Sequence, residues 1–185
     1  MGRTFDALTP ALTSFIQAQH VFFVATAALD ADGHVNVSPK GCDTFRVLDE
    51  RRVAYLDLTG SGIETVAHLR ENGRITLMFT ALSGAPQVVR LWGRGEAVLR
   101  DDDRFAELSA LFDELPGTRA VIVVDVDRVG SSCGYGVPLY RYEGERTRLV
   151  DGLQKRGPEG VAAYWEANNR ESIDGLPGLA TAGEA

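Results

Sequence analysis

The sequence is short of cysteine, histidine, basic charge and long apolar runs, and each shortage removes a class of protein. Two cysteines, Cys42 and Cys133, make no disulfide framework, so the chain suits a reducing compartment and must rely on an ordinary core. The three histidines, His20, His34 and His68, share no ligand spacing with either cysteine, and no metal site is expected. Nineteen Lys and Arg against 26 Asp and Glu leave a net charge of −7. Nucleic-acid affinity comes largely from cations displacing phosphate counterions, so this balance has the wrong sign, although Arg90, Arg94 and Arg100 lie close in sequence. No apolar run is long enough to span a bilayer. Met1-Gly2-Arg3-Thr4-Phe5-Asp6 lacks the apolar core of a signal peptide, and Asp6 stands where a myristoylation signal needs Ser or Thr. The expectation is a soluble, cytoplasmic protein with neither membrane nor nucleic acid as partner. There is also no Gly-x-Ser-x-Gly elbow and no Gly-Lys-Ser/Thr phosphate loop, which argues against a serine hydrolase and a nucleoside triphosphatase.

What is present is enough for one well-packed domain: 185 residues, 44% of them hydrophobic. A chain of this length buries roughly 70% of its unfolded surface. Thr9-Pro10 reads as an N-cap and first helical residue, with Leu12, Phe15 and Ile16 on one face of a helix over 11–19. Residues 21–28 form a continuous apolar run of β-formers; Asp30-Ala31-Asp32-Gly33 turns it back into the alternating His34-Val35-Asn36-Val37-Ser38, a hairpin. A second strand–turn–strand unit covers 45–48 and 53–58. A helix follows over 63–71, stopped by Asn72-Gly73, then strands over 74–79 and 87–100, the latter interrupted by Gly93 and Gly95. Phe105, Leu108, Leu111, Phe112 and Leu115 predict a helix capped by Asp101-Asp102-Asp103. A strand over 120–126, two weaker helices near 145–155 and 158–168, and a loose tail after Ile173 complete the chain. Hairpin-linked strands with few crossovers predict an antiparallel barrel over a doubly wound sheet.

Three segments carry polar chemistry. Leu58-Thr59-Gly60-Ser61-Gly62 runs straight into a helix, whose first amides and partial positive charge make a natural phosphate site, with Ser61 and Thr65 as hydroxyl donors. The alternative is an ordinary turn with Ser61 as N-cap. Ser38-Pro39-Lys40-Gly41 breaks a strand pattern, either to face a ligand or to protect a sheet edge against aggregation. Arg90, in a strand between apolar residues, requires a partner: an anionic ligand, Asp57 or a second subunit. Cys42 beside the strand break is either a reactive thiol or an inert small hydrophobe.

In this order, these pieces resemble the pyridoxamine 5′-phosphate oxidase-related family of FMN-binding split barrels. The resemblance is carried by Asp32-Gly33-His34-Val35-Asn36-Val37-Ser38-Pro39-Lys40-Gly41, by residues 53–62, by Glu71-Asn72-Gly73-Arg74-Ile75-Thr76-Leu77-Met78-Phe79 and by Arg90-Leu91-Trp92-Gly93-Arg94-Gly95-Glu96. Cys133-Gly134-Tyr135-Gly136-Val137-Pro138 is similar to a block of one branch of the family. The resemblance implies a mostly β (α+β) split barrel of six or seven strands with flanking helices. Residues 1–140 would form the flavin-binding domain and 141–185 a helical extension of it. It implies a homodimer with FMN at the subunit interface. Val35, Asn36, Val37 and Ser38 would lie beside the flavin ring, and Leu56, Asp57, Ser61, Gly62 and Thr65 beside the ribityl chain and phosphate. Lys40 or Arg90 would be the charge partner. The cofactor carries the redox chemistry in such proteins, so no catalytic side chain is expected. The implied activity is oxidoreduction of a small molecule, with NAD(P)H as a hydride donor. The alternatives within the family are a flavin or haem carrier or sensor and an F420-dependent reductase. Two departures stand out. The Arg- and Trp-containing C-terminal segment of true pyridoxamine phosphate oxidases is replaced here by Asn169-Arg170-Glu171-Ser172-Ile173-Asp174-Gly175-Leu176-Pro177-Gly178-Leu179, which points away from vitamin B6 oxidation. The basic pair after the phosphate turn is here Gly62-Ile63, so the phosphate would lean on amides and hydroxyls.

Overall fold

A computed structural model describes residues 2–179. Period-two burial builds its sheet. In β2 (Phe22–Ala27), Phe22, Val24 and Thr26 are buried while Phe23, Ala25 and Ala27 face the other side. β3 (Val35–Lys40) pairs with β2 alone, Val35 opposite Ala27 and Lys40 opposite Phe22. It is an edge strand, which is why Pro39 is tolerated there: no neighbour awaits its missing amide hydrogen. β4 (Phe45–Val47) and β5 (Arg52–Leu58) form the second hairpin, and β6 (Arg74–Thr80), β7 (Val88–Leu99) and β8 (Thr118–Ser132) a long meander. The strand order is β3-β2-β6-β7-β8-β5-β4, every pair antiparallel, with the short β1 (Arg3–Phe5) added to β8. A register shift at Trp92/Gly93 marks the bend expected in β7.

The sheet curls until its ends approach without pairing. Lys40 on β3 reaches Asp57 on β5 at 3.3 Å, and the ring of Phe22 lies 5.3 Å from that of Phe45 on β4. The result is an antiparallel split barrel, as the sequence predicts, with eight strands instead of six or seven. Phe22, Tyr55, Leu77, Leu91 and Ile122 fill the interior, and α2 (Glu64–Asn72) closes it with Val66 and Leu69. Gly73 ends α2 at φ +69°, a left-handed cap that a side chain would strain. α1 (Pro10–Gln17) starts as expected, with Thr9 Oγ1 accepting from the Leu12 amide.

Three differences are physical. β1 has only three residues, too few for a periodic signal. The helix expected through Leu115 stops early, as α3 (Phe105–Ser109). Beyond it the amides of Leu111 and Phe112 bond three residues back instead of four, a tightening that directs Phe112 into a small cluster with Ala54, Leu56 and Val121. The tail expected to be loose is placed as far as Leu179: Glu171 bridges Pro177, the Ser172 amide bonds Leu176 O, and Arg70 donates to Gly178 O. The rest of that tail, 180–185, lies outside the described residues. The two C-terminal helices run together as α4 (Arg148–Asn168), broken at Gly157 (φ +71°) before Pro158. Among the described residues, no helix is long and apolar enough to cross a membrane.

Candidate functional site

The gap between the two ends of the sheet holds a cavity of about 200 Å³. Ser38 and Lys40 from β3, Asp57 from the end of β5, the Gly60-Ser61-Gly62 loop and Thr65 on α2 all line it. The Ser38–Gly41 break and the Leu58–Gly62 turn therefore share one cleft.

The loop is oriented from behind. Arg119 on β8 and Asn169 at the end of α4 are both buried, and both bond the loop's carbonyls. Asn169 Nδ2 donates to Gly60 O at 3.1 Å and Ser61 O at 3.4 Å, while Arg119 Nη1 donates to Gly62 O at 2.9 Å. Asn169 Oδ1 in turn accepts from Arg119 at 3.0 Å. With the carbonyls held inward, none of the amides of Gly60, Ser61 and Gly62 donates to a described residue. The helix behind them is uncapped: its N-cap is Ile63, with no side-chain bond, and Ser61 is exposed two residues earlier. This removes the reading of Ser61 as an ordinary N-cap and leaves several free donors around the cavity.

Charge at the site is balanced. Asp57, 1% exposed, takes Arg119 at 2.9 Å on one oxygen and Lys40 at 3.3 Å on the other. A buried carboxylate needs such partners, and Asp57 acts here as their counter-ion. Lys40 keeps two further ammonium protons for a ligand. Glu64 is the opposing charge: its carboxylate folds back over Gly62, where a Cβ would overlap it, and accepts from the Ile173 amide at 3.3 Å.

Asn36 is the hub of a second network. Its Nδ2 donates to Thr26 Oγ1 at 3.2 Å and Thr65 Oγ1 at 3.0 Å, and its Oδ1 accepts from Ser38 at 3.0 Å. Ser38 has thus spent its proton and can only accept from a ligand, whereas Thr65 accepts from Asn36 and can give its own proton away. Thr26 lies 2.9 Å from Nδ1 of His68, which is fully buried. Burial pushes the His68 pKa down against the opposite pull of Asp174, Glu64 and Glu71, keeping the ring neutral. Burial, then the charge of Asp57, pushes the Tyr55 phenol well above its usual range.

The other expected site residues lie elsewhere. Val35 and Val37 point out of the opposite face, 71% and 61% exposed, where Trp92 also surfaces. On that face a larger concavity of about 460 Å³ passes Val35, Arg74, Trp92 and Asp127. Leu56 turns into the small cluster with Phe112. Arg90 is not in the cavity's lining; it pairs with Met78 and Gly130 in the ladder and donates to Ser132 at 3.4 Å. Arg119, Asn169 and Glu64 were not foreseen. Arg119 alone left a trace in the sequence, as a cation at the mouth of the most apolar strand.

Comparison with known proteins agrees with this architecture. The family model described as pyridoxamine 5′-phosphate oxidase matches residues 8–133. A pyridoxamine 5′-phosphate oxidase family protein of Aspergillus flavus, ustO, is 37% identical over 195 residues, covering 96% of this chain and 78% of that one. Among solved structures, HupZ of Group A Streptococcus superposes with a TM-score of 0.52 at 24% identity, over 66% of this chain and 91% of that one. A pyridoxamine 5′-phosphate oxidase-like protein of Lactobacillus delbrueckii gives the same score and identity over 68% and 94%. These two share the fold. With the family model spanning the barrel and the Aspergillus relative nearly the whole chain, this protein belongs to the pyridoxamine 5′-phosphate oxidase family.

Proposed function

We propose that this protein is a flavin-dependent oxidoreductase acting on a small molecule, holding the FMN portion of its cofactor in the cleft between β3 and α2. The observation that carries this reading is the shared cavity of Ser38, Lys40, Ser61, Gly62 and Thr65, beside loop amides with no partner among the described residues and an uncapped helix start.

The donor set fits the group. Loop amides, the Ser61 and Thr65 hydroxyls and the Lys40 ammonium suit a phosphate. Ser38, able only to accept, suits a ribityl hydroxyl. The free edge of β3 offers backbone amides and carbonyls to the polar rim of a ring, and Val35 and Val37 offer apolar contact on the outward side. A volume of about 200 Å³ is below the ~300–1,000 Å³ of complete ligand sites, so the ring must extend out of this cleft. A second copy covering the exposed Val35, Val37 and Trp92 would complete the site, making the working unit a homodimer.

Bound there, the isoalloxazine supplies reversible hydride acceptance and delivery, for which NAD(P)H is a suitable donor. The chain's own residues bind and orient. Asn169 and Arg119 fix the loop, Asn36 fixes Ser38 and Thr65, and the unpaired edge amides of β3 would hold negative charge at the ring's rim.

Titration of FMN against the purified protein tests the reading: its fluorescence should be quenched with saturation at one site per chain. The loaded protein should oxidise NAD(P)H anaerobically faster than free flavin. Quenching without turnover would favour a carrier; no quenching by either FMN or FAD would remove the flavin altogether.

A further inference from the structure

Gly60 belongs to two cavities. On one side lies the cleft just described. On the other lies a chamber of about 250 Å³ formed by Thr59, Gly60 and α4 on both sides of its break, with Arg148, Arg156 and Tyr164 in its wall. Gly60 has no side chain to separate them, and a Cβ built there meets nothing within 4 Å. The wall is fixed, because Trp165 Nε1 donates to Thr59 Oγ1 at 2.8 Å and that hydroxyl donates to Gly117 O at 2.6 Å.

The two chambers differ in charge. The first sets Lys40 and Arg119 against Asp57 and Glu64 and is neutral. The second has two guanidinium groups and no acidic residue in its lining. Neither arginine forms an ion pair with a described residue, in a chain whose net charge is −7. The Arg156 guanidinium sits 4.8 Å from the centre of the Tyr164 ring, so the chamber combines cations with an aromatic face.

We infer that the second chamber takes the adenylate half of a flavin dinucleotide, so that the cofactor is FAD held across Gly60; this rests on the flavin reading above. FMN ends in a phosphate monoester carrying close to two negative charges near neutral pH, and a lining of zero net charge that includes Glu64 matches it poorly. In FAD the same phosphate is one half of a pyrophosphate and carries a single charge. The second phosphate then emerges beyond Gly60, where Arg148 and Arg156 stand unopposed, and the adenine has the Tyr164 ring for stacking.

The experiment compares FMN, FAD and ADP on the whole protein and on an Arg148→Ala/Arg156→Ala variant, by flavin quenching and calorimetry. Both arginines are exposed, so the variant should keep its melting temperature. The wild type is expected to bind FAD roughly tenfold or more tighter than FMN, in keeping with one or two charge-assisted hydrogen bonds discounted for exposure. The variant should lose that preference, and its ADP binding, while its FMN affinity moves by less than about twofold. FMN binding with no gain for FAD, or a variant weakened equally toward both flavins, overturns the second chamber and leaves the first intact. Failure of both flavins to bind removes both chambers.

Discussion

Replacing Asn169 by alanine separates what the loop's orientation contributes from what its residues contribute. Asn169 is fully buried and makes three side-chain bonds: to Gly60 O, to Ser61 O and from Arg119. Truncation leaves a buried carbonyl and one guanidinium N–H short of a partner, each costing about 1–3 kcal/mol, though Arg119 stays within 3.5 Å of Gly60 O and recovers part. A net loss of about 2–3 kcal/mol lowers the melting temperature of a chain this size by roughly 5–10 °C. The effect on binding is separate. Once the Gly60 and Ser61 carbonyls are released, their peptides can rotate and present oxygen where amide hydrogen stood. Losing one or two amide donors to an anion weakens it by about 10- to 100-fold. Flavin quenching, measured well below both melting temperatures, reads this. Val161→Ala is the control: it removes buried surface from α4, costs about 2 kcal/mol and touches no loop carbonyl, so flavin affinity should hold. An Asn169→Ala protein that melts earlier but binds flavin like the wild type would refute the idea that Asn169 orients the loop.

Ser61→Asp should leave stability within about 0.5 kcal/mol, since Ser61 is exposed and not the N-cap, yet weaken flavin at least about tenfold; unchanged binding in a titration would place the phosphate elsewhere. Glu64→Gln keeps the acceptor for the Ile173 amide and removes the opposing charge, so flavin affinity should rise by roughly threefold or more at low salt and less at high salt. Arg119→Leu strips Asp57 of its main partner and should cost about 3–5 kcal/mol in denaturant melts, whereas Arg90→Leu should cost far less, because no buried charge depends on it. His68 is neutral in the folded state with a depressed pKa, while the unfolded chain takes up its proton below about 6.5. The unfolded state therefore binds more protons in the window below that value, and stability should fall as pH drops through it. His68→Gln should flatten the melting-temperature profile between pH 7 and 5, and an unchanged slope would assign it to other groups.

The barrel was legible because its signals are local. Val35-Asn36-Val37-Ser38 alternates, Asp30-Ala31-Asp32-Gly33 turns, and 120–126 is apolar on both sides because β8 is buried between β7 and β5. The Gly60-Ser61-Gly62 loop was legible for the same reason, since glycine, serine and helix start are contiguous. Its supports were not. Asn169 is separated from Gly60 by 109 positions, and nothing in a polar residue at a helix end reveals a buried contact that distant. The arginine argument illustrates the difference. The sequence reading offers Asp57 as one partner for Arg90, but β7 does not neighbour β5, and only the register of β5 against β8, with Asp57 opposite Ala120, places Arg119 within reach. The early end of α3 shows the opposite case, in which spacings of three and four persist through tightening turns and so mimic a longer helix.

Under the proposed phosphate site, the C-terminal departure and the missing basic pair belong together. Where relatives in this fold would place two cations after the phosphate turn, this chain has Gly62-Ile63, and where they would end in an Arg- and Trp-containing segment, it has Asn169 and the strand-like return to Leu179. Cations attract a phosphate directly and tolerate an imprecise loop. Amides do not: their contribution depends on direction, so a site built from them must fix the peptide planes. The C-terminal segment supplies that fixation through Asn169 on the loop carbonyls, Ile173 on Glu64 and Gly178 O on Arg70, and the side chain of Arg119 completes it from within the sheet. Binding should accordingly depend less on ionic strength than in a site held by paired cations, and more on the integrity of residues 169–179.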